Sequence, residues 1–245
     1  MDDQVLASIY ARFESEDPSE RLDAVRELTR FVNVAASEAE PNSNSRQASA
    51  EDLAAWDSAV GRLLNRPDIS GALLASLEDS SAEVRSWAAI QAGRLEDPRA
   101  KEALIRHLLS DPSPHVRLMC AMLPPTQGGS EVVAALVQTL KDPFPRVVAA
   151  ACTMLRRMGD RSTVPAFREL LAHETWQVRF EACQALVELG STDTVVVTTI
   201  EGLQNSSEAS EHDKLARRFN ESESDPVLKV EHTPLVSELL ERALG

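Results

Sequence analysis

The stretch Asp111-Pro112-Ser113-Pro114-His115-Val116-Arg117 decides the fold, because it returns. Asp79-Ser80-Ser81-Ala82-Glu83-Val84-Arg85 stands before it. Asp142-Pro143-Phe144-Pro145-Arg146-Val147-Val148 and Glu174-Thr175-Trp176-Gln177-Val178-Arg179 follow. The valines at 84, 116, 147 and 178 are 32, 31 and 31 residues apart, and a near-constant period of this length marks a repeat architecture. A leucine precedes each turn (Leu77, Leu109, Leu140, Leu171), and three units close on glycine, at Gly128-Gly129, Gly159 and Gly190. Each unit therefore reads as helix, Asp-Pro turn, second helix, glycine turn. Proline costs little at a helix start, since the first four amides have no intrahelical acceptor. Two amphipathic helices alone leave an apolar side uncovered, so the units must stack.

The motif Asp-Pro-x-Pro-x-Val-Arg resembles the HEAT repeat family, in particular the short bacterial type first named from phycobilisome lyases. The resemblance covers residues 71–205 well and both ends weakly. It implies an all-α fold, a right-handed α-solenoid of stacked antiparallel helix pairs. It also implies that the turn aspartates and the following arginines form a ladder between repeats, here Asp79, Arg85, Asp111, Arg117, Asp142 and Arg179.

Working outward, residues 1–245 are expected to form a single array. Residues 1–36 read as a degenerate first helical pair, with Asp17 before Leu22 taken as the counterpart of Asp79 before Val84. Residues 37–50, rich in Ser, Asn, Glu and Pro, read as a flexible insertion. A helix carrying Leu53, Trp56, Val60, Leu63 and Leu64 follows, and regular repeats fill 51–205. In one repeat Pro124-Pro125 replaces the end of the second helix, which should stop near Leu123. Residues 206–245 read as a C-terminal cap: a polar helix over 208–219, a loop extended at 226–230, and an amphipathic helix opened by Thr233-Pro234.

Composition narrows the function. Aromatics are 4% and glycines 9, which favours packed helices over sheet. No apolar run reaches membrane-span length, and the acidic start Met1-Asp2-Asp3 lacks the basic region of a secretory signal. A cytoplasmic location is expected. Cys120, Cys152 and Cys183 fall in small-residue slots of second helices and read as buried spacers. The net charge is −14, unevenly placed: residues 1–52 hold 12 acidic and 5 basic side chains, against 17 and 15 over 53–200. Such a field disfavours nucleic acid and anionic membrane and favours a basic partner protein.

No Gly-rich phosphate loop, Gly-x-Ser-x-Gly elbow or His-Glu-x-x-His is present, and the five histidines are scattered. The expectation is no catalytic residue, no cofactor and no metal. The candidate site is instead a surface. Counting 100° per residue, positions zero, four, seven, eight and eleven after each valine face the core. Positions two, six and nine should then line the concave face. They hold Ile90, Leu118, Met122, Arg156, Phe180, Gln184 and Val187, with Thr153 among them and Trp87 at the border. Glu181 and Glu188 supply an acidic rim, with Arg156 and Arg157 as a basic step. A solvent-facing row normally reads polar, so Ile90, Leu118, Met122 and Phe180 mark a partner-binding patch. The expected function is a non-enzymatic, monomeric protein-binding scaffold with an immunity, inhibitor or chaperone-like role. The resemblance brings two alternatives. One is a bilin-lyase-like chromophore-attachment enzyme, for which no residue set matches a catalytic motif. The other is a HEAT-like nucleic-acid-processing protein, against which the charge argues.

Overall fold

The computed structural model describes residues 3–38, 64, 66–122, 128–221 and 235–244. Among them are thirteen α-helices, one short 3-10 turn (Arg161–Thr163) and no strand. The chain forms two compact units, Met1–Ala135 and Leu136–Gly245. In the first, α1 (Asp3–Phe13) pairs with α2 (Pro18–Glu38), α3 (Pro67–Leu77) with α4 (Ala82–Ala92), and α5 (Pro98–Ser110) with α6 (Pro114–Ala121). α7 (Ser130–Thr139) spans the boundary. In the second unit come α8 (Pro145–Met158), α9 (Val164–Leu170), α10 (Trp176–Glu188), α11 (Thr194–Gln204), α12 (Ser207–Glu221) and α13 (Val236–Leu244). The second helices lie side by side, α2 on α4 and α4 on α6 in the first unit, α8 on α10 in the second.

Local chemistry explains the helix starts. In the turn, the aspartate side chain folds forward onto the amide two residues on: Ser81 N–H to Asp79 at 2.8 Å, Ser113 N–H to Asp111 at 2.8 Å, Phe144 N–H to Asp142 at 2.9 Å. That contact satisfies an amide the helix leaves open and sets a carboxylate against the positive end of the helix dipole. α8 ends on Gly159 with φ 65, a left-handed conformation that a side chain would strain.

The core follows the repeat. Val84, Val116, Val147 and Val178 are all buried, as are Cys120, Cys152 and Cys183 in their small-residue slots. In the first unit Leu22, Val25 and Val84 form one cluster, with Phe13 and Trp87 packed against it.

Several expectations shift. α2 runs to Glu38, so the first pair extends past residue 36, and residues 39–50 of the expected insertion lie outside the described residues. The helix over 53–64 does too, apart from helical, buried Leu64. α4 stops at Ala92, turning through Gly93 while Leu95 stays buried. α6 ends at Ala121 with Met122 as its cap, two residues short of Leu123; the prolines themselves and 226–230 are outside the described residues. The final helix begins at Val236, beyond Thr233-Pro234, which also lie outside.

The register of the first repeat is also corrected. Arg21 donates to the Ser15 and Glu16 carbonyls as Arg85 donates to those of Asp79 and Ser80. The offset is 64, not the 62 that pairs Leu22 with Val84.

Candidate partner-docking face

The turn arginines form the ladder in the first unit. Arg85 reaches back to its own turn and forks forward onto Asp111, Nε to Oδ2 and Nη2 to Oδ1, both at 2.9 Å. Arg21 does the same to Asp79, at 2.5 and 2.9 Å. The degenerate first repeat therefore supplies a rung that the sequence hid, because its arginine follows a differently spelled turn. Arg117 and Arg179 also reach back to their own turns, donating to the carbonyls of Asp111 and His173 at 2.7 Å. Burial alone would push the Asp79 and Asp111 carboxyls up. Hydrogen bonds from Arg21 and Arg85 and from the turn amides outweigh it and hold both below the usual carboxylate range. The Asp111 contact in turn holds the Arg85 guanidinium above its ordinary value.

Beside the Arg85–Asp111 rung lies a cleft of about 350 Å³ walled by Glu78, Asp79, Arg106, His107, Ser110 and Asp111. His107 bridges it, Nδ1 at 2.9 Å from Asp111 and Nε2 at 3.4 Å from Glu78, and Arg106 pairs with Glu78. The charges on this wall are directed at one another, so the cleft is a joint between repeats. Among the described residues, no group of three or more His, Cys, Asp and Glu side chains is placed to hold a metal ion.

The second helices present the open surface, but at only some of the expected positions. Position two is buried in three of the four repeats, at Ser86, Ala149 and Phe180, with Phe180 at 1%. Phe180 stacks on Trp176 at 5.2 Å and lies 4.4 Å from His212 of α12. Gln184 is likewise buried at 6%, and Val187 at position nine is half-buried. The expectation for Phe180 and Gln184 fails because each second helix is flanked by its neighbours as well as backed by the first helices. The exposed line runs instead through the positions before the valine and three, six and ten after it, a rotation of about 65° around the helix.

In the first unit that line is apolar. Ile90 is 39% exposed and Met122 59%, both at position six; Trp87 and Met119, both at position three, are half-buried, as is Leu118. Met119 was missed by reading position two instead of three. Trp87 carries Arg26 over its ring, 5.4 Å from the centroid.

In the second unit the same line is polar. Arg156 Nη1 donates to both carboxylate oxygens of Glu188 at 2.8 and 3.0 Å, Gln184 Nε2 donates to Glu188 at 3.2 Å, and Thr153 donates to Glu181 at 3.1 Å. Arg157 and Glu188 are exposed and Glu181 is partly buried. Of the eight residues expected on the face, Trp87, Ile90, Leu118 and Met122 form a patch on the first unit. Arg156, Gln184 and Val187 belong to the second unit's polar network and its edge. Phe180 belongs to the core.

The sequence matches the family model for HEAT repeats over residues 32–123 and 133–227. No curated protein matches it. Among solved structures, it is similar to a chain in the crystal structure of the S. pombe condensin Cnd3-Cnd2 subcomplex, with 16% identity and a TM-score of 0.51 over 89% of this chain. It spans 32% of that condensin chain, about a third of its length. At that identity the likeness is one of fold.

Proposed function

Because the chain belongs to the HEAT-repeat family, we propose that this helical-repeat protein is a non-enzymatic scaffold that grips a partner protein on the open face of its second helices. Ile90 and Met122 carry the reading: two large apolar side chains, well exposed, at the same register position on the packed helices α4 and α6. Burying such side chains in an interface contributes about 1.5–3 kcal/mol each, and Trp87 and Met119 beside them are residue types enriched in interfaces. The condensin chain, also a member of a protein subcomplex, is consistent with this use of the fold. The acidic balance of −14 supports a basic partner for the surface at large.

Photo-crosslinking tests the reading. A benzophenone side chain placed at Ile90 or Met122 is expected to capture a partner protein in the native host. The same group at Phe144 or Val195, exposed apolar positions of the second unit, is expected not to capture it. Equal capture at all four positions, or none at the first two, overturns the assignment. No helix of the described residues is long and apolar enough to cross a membrane.

A further inference from the structure

The 64-residue offset places Arg26 in register with Ile90 and Arg30 with Arg94, on the α2 side of the apolar patch. Arg26 and Arg30 are exposed and take part in no ion pair among the described residues. Arg26 already stacks over Trp87, which fixes its guanidinium at the edge of the patch. Of the acidic residues on this line, Glu83 sits at the N-terminal end of its helix, at position minus one, and Asp23 at position three, level with Trp87 and one turn before Arg26. The open face of the first unit is therefore a Met-rich apolar row bordered, at its C-terminal half, by two arginines with unspent charge. This local sign opposes the net charge of the chain. At physiological salt, charges beyond about 8–10 Å are largely screened, so a docked segment senses the side chains lining this face, Arg26 and Arg30 with Asp23 and Glu83, rather than the net charge of the chain.

On the reading that this face docks a protein, we propose that its occupant is an acidic amphipathic helix. Its apolar stripe lies on Ile90, Met119 and Met122, and its carboxylates pair with Arg26 and Arg30. Methionine side chains adapt to differently shaped apolar stripes, and guanidinium groups bind carboxylates bidentately. The helix-in-groove mode uses both.

Two fluorescein-labelled helical peptides of roughly 20 residues, sharing one leucine stripe and flanked by either glutamates or lysines, provide the probe. The full-length protein is titrated and anisotropy recorded. Unspecific attraction to a chain of −14 favours the lysine peptide, so tighter binding of the glutamate peptide supports the proposal. Arg26→Glu with Arg30→Glu is expected to weaken the glutamate peptide about tenfold and to admit the lysine peptide in its place. Met122→Lys is expected to abolish binding of both. Arg30→Glu alone leaves the Trp87 stack intact and guards against a folding defect. Three results overturn the proposal: tighter binding of the lysine peptide to the wild type, indifference of the glutamate peptide to charge reversal, or no saturation of the glutamate peptide below about 100 μM. Capture at Ile90 and Met122 together with any of these sinks the acidic-helix inference and leaves the docking face standing. Loss of capture sinks the face itself.

Discussion

Val148 and His173 stand in the two slots that Arg85 and Asp111 fill as an ion pair. Val148 follows its core valine by one residue, as Arg85 follows Val84, and is fully buried. His173 precedes Val178 by five residues, as Asp111 precedes Val116. It accepts the Thr175 amide on Nδ1 at 3.0 Å, as Asp111 accepts that of Ser113. Both charged members are replaced together. Replacing one alone would leave a buried charge without its partner, which costs about 3–5 kcal/mol, so the joint change is the low-cost exit from the ladder.

A double-mutant cycle tests whether the slots still face each other. Val148→Arg is expected to destabilise the second unit by about 3–5 kcal/mol, and His173→Asp by less, since aspartate keeps the turn contact. The double variant should recover about 1–3 kcal/mol relative to the sum, read from chemical denaturation. Strict additivity would show that the pairing geometry is not inherited in this rung.

Phe180 should behave as a core residue. Phe180→Ala removes a buried ring packed on Trp176 and His212 and is expected to cost about 3–5 kcal/mol, lowering the melting temperature of the second unit. A near-neutral result would mean the ring is accessible after all, and would return it to the docking face.

How much of this was legible in the sequence depends on which contacts fix each feature. The repeat, the helix starts and the buried cysteines follow from local rules, so the period of 31–32 and the Asp and Pro placements reach them directly. The ladder was legible where the motif is spelled Asp and Arg. At Arg21 the turn is spelled Ser15-Glu16-Asp17, and only the carbonyl contacts show the equivalence. At His173 an imidazole performs the aspartate's turn role, which misdirected the match onto Glu174. The exposed line of the second helices was half legible. Helical periodicity gives directions around one helix, but which side is covered depends on neighbours, and His212 on Phe180 comes from a helix 32 residues away. The charge beside the patch depends on the first-repeat register, which the net balance of −14 does not report.

The three thiols offer a probe of integrity. Burial pushes the Cys120 and Cys183 thiols up to about 12, and Cys152 higher still. Since the thiolate is the reactive form, the native protein should resist a disulfide reagent at pH 8 and yield three thiols on denaturation. Rapid labelling of any one thiol in the native state would show that its helix opens locally.

The carboxyl groups predict opposite pH responses in the two units. Asp79 and Asp111 are held below their ordinary 3.8 by the ladder. Their contribution is present above that value and is lost as pH falls through the lower folded value. Glu181 is shifted the other way: burial raises it above 4.5, outweighing the Thr153 hydroxyl and the Arg156 charge, and Glu188 adds to the rise. Its protonated form fits the fold, so the stability it contributes is present below 4.5 and is lost as pH climbs through the raised folded value. Glu181→Gln is therefore expected to stabilise the second unit at pH 7, with the advantage shrinking toward pH 4.5. Asp111→Asn is expected to destabilise the first unit at pH 7, with the deficit shrinking only in stronger acid. Denaturation midpoints of both variants across pH 3–8 decide the matter. A Glu181→Gln variant less stable than wild type at pH 7 would mean that the ionised carboxylate is engaged by Arg156, and that the charge, not its absence, holds α8 to α10.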